Sequence, residues 1–127
     1  MPKIIVLDFD GVIHSYVSGW AGYAVIKDPP VEGALSFIRQ LIDAKTKTGS
    51  SRYSVYIISS RTSFPSAIDA IKQWFLMHGL ESEYLDKIQF ESEKPPAHLL
   101  IDDRGFHFEG KFPSLDFIDT FKPWNKK

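Results

Sequence analysis

The chain has 127 residues, 43% of them hydrophobic and 24% charged, which gives one domain with a real core and too little material for two. A formal net charge of −1 supplies no basic surface for holding nucleic acid, although contact with a nucleic-acid end stays open. The absence of cysteine excludes disulfides, thiol nucleophiles and thiolate metal sites.

The first element is an apolar run, Ile4-Ile5-Val6-Leu7, within a strand expected over Lys3–Phe9. Four aliphatic residues in a row suit a strand covered on both faces, as in parallel sheets. The run is too short for a signal peptide or membrane span, so the expectation is a cytoplasmic protein with no membrane partner. It ends in Asp8-Phe9-Asp10-Gly11-Val12. Two like charges about 4 Å apart repel by roughly 1–4 kcal/mol, and a hard divalent cation such as Mg²⁺ is the simplest way to offset that.

Residues 14–30 carry Tyr16, Gly19, Trp20, Gly22, Tyr23 and the Pro29-Pro30 stop, and read as a flap or hairpin with aromatic tips. Trp20 and Tyr23 could stack on a substrate ring, but packing the flap onto the body is the plainer use. Val31–Ala44 shows a helical stripe of Val31, Leu35, Ile38, Leu41 and Ile42, and Lys45–Arg52 is a polar loop.

A second strand is expected over Tyr53–Ile58, ending in Ser59-Ser60-Arg61-Thr62. Pro65 suits a helix first turn, Ala67, Ile68, Ile71, Trp74 and Phe75 make the next stripe, and Gly79 stops it. A short third strand follows over Asp86–Phe90. A fourth over His98–Ile101 ends at Asp102-Asp103-Arg104-Gly105, Phe106–Phe108 is a candidate fifth, and Ser114–Phe121 reads as a terminal helix. Alternating strands and helices imply right-handed crossovers and a mostly parallel sheet.

Ligands of such sheets sit at the carboxyl ends of the strands. Three polar clusters fall there, at Asp8/Asp10, Ser59/Ser60 and Asp102/Asp103, and together they imply one shared site. Phosphoryl transfer needs a nucleophile, a proton source for the leaving group, a cation and donors for the phosphoryl oxygens. Asp8 can attack phosphorus, Asp10 can serve the leaving oxygen, and Asp102 and Asp103 can complete a carboxylate shell. Ser59, Ser60 and Lys94 can face the phosphate, although the serines could equally cap a turn and Lys94 could be an ordinary surface lysine. Arg61 and Arg104 read as structural or peripheral. His14, His78, His98 and His107 lack metal-ligand spacing and read as core or surface residues.

In that order, these four groups resemble the motifs of a haloacid-dehalogenase-superfamily phosphatase. The match runs from about Lys3 to Arg104. The resemblance implies an α/β fold, a Rossmann-like three-layer sandwich over residues 1–127 without a cap domain, since neither gap between motifs can hold one. It implies Mg²⁺ held by Asp8, the backbone carbonyl of Asp10 and a late acid. Asp102 is favoured for direct contact with Asp103 acting through water, the reverse staying open. It also implies Asp8 as nucleophile and Asp10 as general acid/base, with a pKa above the ordinary carboxylate value. The third-motif lysine is Lys94 or Lys87, Lys94 fitting the spacing better.

The expected function is thus Mg²⁺-dependent hydrolysis of a phosphomonoester, small or macromolecular, through an aspartyl-phosphate on Asp8. Two other readings are a phosphotransferase using a sugar or nucleotide acceptor and a non-catalytic binding module of the same fold. A response-regulator receiver has its acidic pairs in the opposite order along the chain.

Overall fold

The computed structural model describes residues 1–126. It is an α/β protein built on four parallel strands: β1 (Lys3–Leu7), β2 (Tyr53–Ile57), β3 (Ile88–Phe90) and β4 (Leu99–Ile101). The helices are α1 (Ala34–Asp43), α2 (Pro65–Met77), α3 (Ser82–Leu85) and α4 (Leu115–Thr120), with single 3₁₀ turns at Ser60–Ser63 and Trp124–Lys126.

The strand order is β3-β2-β1-β4. Ile5 lies beside Val55 on one side and Leu99 on the other, and Leu7 beside Ile57 and Ile101. After β1 the chain moves outward through β2 and β3, then returns to the opposite side of β1. The reversal therefore falls between β1 and β4. In open parallel sheets that switch point leaves a crevice at the carboxyl ends of the strands.

The core follows from the apolar runs. Ile5, Leu7, Val55 and Ile57 of the central strands join Ile38, Leu41 and Ile42 of α1 and Ile71, Trp74 and Phe75 of α2 in one buried cluster. Each such side chain contributes about 1.5–3 kcal/mol on leaving water. Gly33, at φ 84°, starts α1 later than the apolar stripe suggests, because that backbone conformation is not helical. Pro65 opens α2 as its first residue, and Ser114 caps α4 by accepting from Phe117 N–H at 3.0 Å.

Three expectations are corrected. Of the two readings of residues 14–30, flap or hairpin, the hairpin does not form: the segment has no strands, only isolated bridges from His14 to Asp10 and Pro30. Phe106–Phe108 is not a fifth strand but loop with exposed rings, and the sheet ends at β4. The third strand begins at Ile88, because α3, a helix too short to leave a periodic signature, precedes it.

No helix among the described residues is long and apolar enough to cross a membrane.

Candidate functional site

Asp8 directly follows β1, and Asp102 and Asp103 directly follow β4, so adjacency of the two strands brings the three acids together. Asp8 N–H donates to the Ile101 carbonyl at 3.0 Å, which carries the pairing one residue past the strand. One carboxylate oxygen from each of Asp8, Asp102 and Asp103 lies within 4.8 Å of the others. Asp8, Asp102 and Asp103 are thus charges of one sign at close range.

The electrostatic consequence is large. Burial, then the Asp102 charge and the contact with Asp103, push the Asp8 pKa from 3.8 up to about 8; the Phe9 N–H, donated to Asp8 Oδ1 at 2.8 Å, only partly opposes this. Three clustered carboxylate oxygens are a donor set suited to a hard divalent ion. The geometry does not single out Asp102. Both late aspartates offer an oxygen, and Asp102 Oδ1 also accepts from Arg104 N–H at 2.7 Å.

Gly11 makes room for this cluster. Its φ of 84° lies in the left-handed region, and a Cβ there would sit 2.7 Å from Asp103 Cγ. The glycine after β1 thus makes room for an acid after β4. Gly11 also accepts from Trp124 Nε1 at 2.7 Å, and Asn125 Nδ2 donates to the Ser15 carbonyl at 3.1 Å. The C-terminal segment, which carries no motif, is thereby tied to the loop after β1.

The Asp10 carboxylate is not part of the acidic cluster. Its Oδ1 accepts from His14 Nδ1 and its Oδ2 from Arg61 Nε, both at 2.8 Å. His14 Nε2 accepts from Asp28 N–H at 3.1 Å, which assigns the ring proton to Nδ1. Burial alone would raise the Asp10 pKa, but the bonds from His14 and Arg61 outweigh it and hold the group below 3.8. This corrects the expectation of a raised value.

Arg61 and His14 are the residues that sequence reasoning undervalued. Arg61 is wholly buried, structural but not peripheral; its Nη1 donates to the carbonyls of Gly22, Tyr23 and Val25. His14 is a core residue 1% exposed, stacked on Phe9 with centroids 5.5 Å apart. The one available signal was position: a histidine four residues after Asp10, and an arginine at the end of the second apolar strand.

Ser59 caps the turn after β2. Its Oγ accepts from Arg61 N–H at 3.0 Å, while its own N–H donates to Thr62 Oγ1 at 3.0 Å. The Ser59 hydroxyl proton stays available to a ligand, and Ser60 is exposed. Lys94 is exposed and lines a surface groove with His98 and Asp102 beside β4. Lys87 instead precedes the first residue of β3 and lines a groove with Pro2 and Tyr53, at the opposite end of the parallel strands.

Comparisons with protein-family models, curated proteins and solved structures return no match.

Proposed function

We propose that this protein is a Mg²⁺-dependent phosphomonoester hydrolase of the haloacid-dehalogenase type, with a three-layer, capless fold and an open site. The single observation that carries this reading is the convergence of Asp8, Asp102 and Asp103 at the β1–β4 switch point. Asp8, Asp102 and Asp103 would hold the cation; when bound, it supplies positive charge that stabilises ionised Asp8 and the phosphoryl oxygens.

In the first step an Asp8 carboxylate oxygen bonds to phosphorus, the ester P–O bond breaks, and the departing alkoxide takes a proton from solvent. Lys94, and the hydroxyls of Ser59 and Ser60, supply donors to the phosphoryl oxygens. In the second step a water oxygen bonds to phosphorus and the bond to Asp8 breaks, releasing phosphate. Asp10 accepts the water's proton. His14 and Arg61 keep it ionised, so it has no proton to donate in the first step, and each of its oxygens keeps a lone pair that can accept one in the second.

The test is p-nitrophenyl phosphate hydrolysis with and without Mg²⁺. Turnover that needs the cation and falls roughly a thousandfold in Asp8→Asn supports the reading. Full activity in that variant refutes it.

A further inference from the structure

The loop 14–30 is held firmly despite lacking regular structure. Arg61 Nη1 gathers the carbonyls of Gly22, Tyr23 and Val25 at 2.8, 2.7 and 3.1 Å. The Asp28 carboxylate accepts from Ser18 N–H at 2.8 Å and Ser18 Oγ at 2.6 Å, while Trp74 Nε1 donates to the Asp28 carbonyl at 2.9 Å. Tyr16 sits at φ 61°, a left-handed conformation that a bulky residue adopts only under constraint.

What this scaffold displays is a set of half-exposed rings. Trp20 meets Tyr23 edge-on with centroids 4.9 Å apart, and Tyr23 lies 4.2 Å from Phe64 at the start of α2. Their exposures are 48%, 45% and 41%, against 4% or less for Phe9 and Trp74, the rings that fasten the core. Faces of the three rings are therefore open to solvent, while the core rings are covered. One face of Trp20 lies over the Arg61 guanidinium at 4.7 Å, and the same guanidinium holds Asp10 at 2.8 Å. The platform therefore begins one side chain away from Asp10, the carboxylate assigned the role of base.

We propose that Trp20, Tyr23 and Phe64 form the subsite for the alcohol portion of the substrate, and that this portion carries a planar base: the substrate is a nucleoside phosphate. The inference rests on the phosphomonoesterase reading. The occupant is joined to the reacting phosphate by its ester bond, so it must extend from the acidic cluster across the neighbouring surface. The half-exposed rings of Trp20, Tyr23 and Phe64 offer it faces and edges on which a base stacks. With a net charge of −1 there is no basic track for a long strand, so one nucleoside is the natural size.

The test compares kcat/KM for adenosine 5′- and 3′-monophosphate with that for glycerol phosphate, in wild type, Trp20→Ala and Tyr23→Leu. The second variant keeps the backbone carbonyl that Arg61 uses. Wild type should prefer the better nucleotide by roughly tenfold, and the ratio should fall toward one in both variants. A ratio near one in wild type, or one that neither variant changes, overturns the subsite and leaves the phosphatase reading standing. Turnover of none of these esters, nor of p-nitrophenyl phosphate, overturns the phosphatase reading. The subsite is then decided by tryptophan fluorescence with Mg²⁺ present: quenching by adenosine monophosphate but not ribose 5-phosphate, lost in Trp20→Ala, upholds it, and no such quenching overturns it. An oligonucleotide with a terminal phosphate, turned over faster than the mononucleotide, assigns the stacked base to a strand end.

Discussion

Arg61 and Asp10, 51 residues apart, meet in a pair buried at the end of the sheet: Nε to Oδ2 at 2.8 Å, with no part of the arginine exposed. The same guanidinium fastens the loop after β1. It therefore fixes the orientation of Asp10 and the position of the loop together.

Breaking such a pair from one side leaves a carboxylate without its partner and three carbonyls without a donor. Arg61→Ala should cost about 3–5 kcal/mol of folding stability, and Arg61→Lys should recover only part, since an ammonium cannot reproduce the planar fork. Urea denaturation at matched slope measures both. A loss under 1 kcal/mol for Arg61→Ala would show that the pair is not structural.

Gly11→Ala should be costly beyond its location in a loop. The left-handed backbone disfavours alanine by about 1–2 kcal/mol, and the added methyl displaces the Asp103 carboxylate. Stability should fall by that amount and Mg²⁺ affinity should fall with it. Unchanged affinity, read by calorimetry, would show that Asp103 is not held by this contact.

The strands and main helices were legible because aliphatic runs and helical stripes announce them; Ile4–Leu7 and Ile38/Leu41/Ile42 are examples. The acidic convergence was legible because parallel topology sends every strand end to one side. The Arg61 pair was not, because an arginine after a strand looks solvated until its partners are known. Those partners, Asp10, Gly22, Tyr23 and Val25, are 36 or more residues away. Likewise the tie from Trp124 to Gly11 spans 113 residues and leaves no local pattern.

The raised pKa of Asp8 sets a pH dependence for the metal-free protein. A folded-state value near 8 against 3.8 unfolded means that the folded state binds the proton more tightly. This stabilisation is complete below pH 3.8 and is lost as pH rises through about 8. Melting temperature in chelator should therefore decline between these limits, and Asp8→Asn should flatten the decline. Mg²⁺ should restore most at the alkaline end, where Asp8 is ionised. Asp10 acts in the opposite sense, its contribution disappearing as pH falls through its lowered value. A chelated Asp8→Asn protein with the wild-type slope would remove Asp8 as the cause.

Asp10→Asn should impair the second chemical step more than the first. Without a base for the attacking water, the aspartyl-phosphate should accumulate, seen as a burst of p-nitrophenol followed by slow release of phosphate. A variant that slows the burst itself, and does so more for poor leaving groups than for activated ones, would return Asp10 to the role of acid.

The most direct measurement is a calorimetric titration of the metal-free protein with Mg²⁺, in wild type and in Asp8→Asn and Asp103→Asn. The expected result is one ion per chain, with proton release on binding and affinity lost in both variants. Failure to bind a divalent ion, or binding that neither substitution weakens, would contradict a cation centre formed by the ends of β1 and β4.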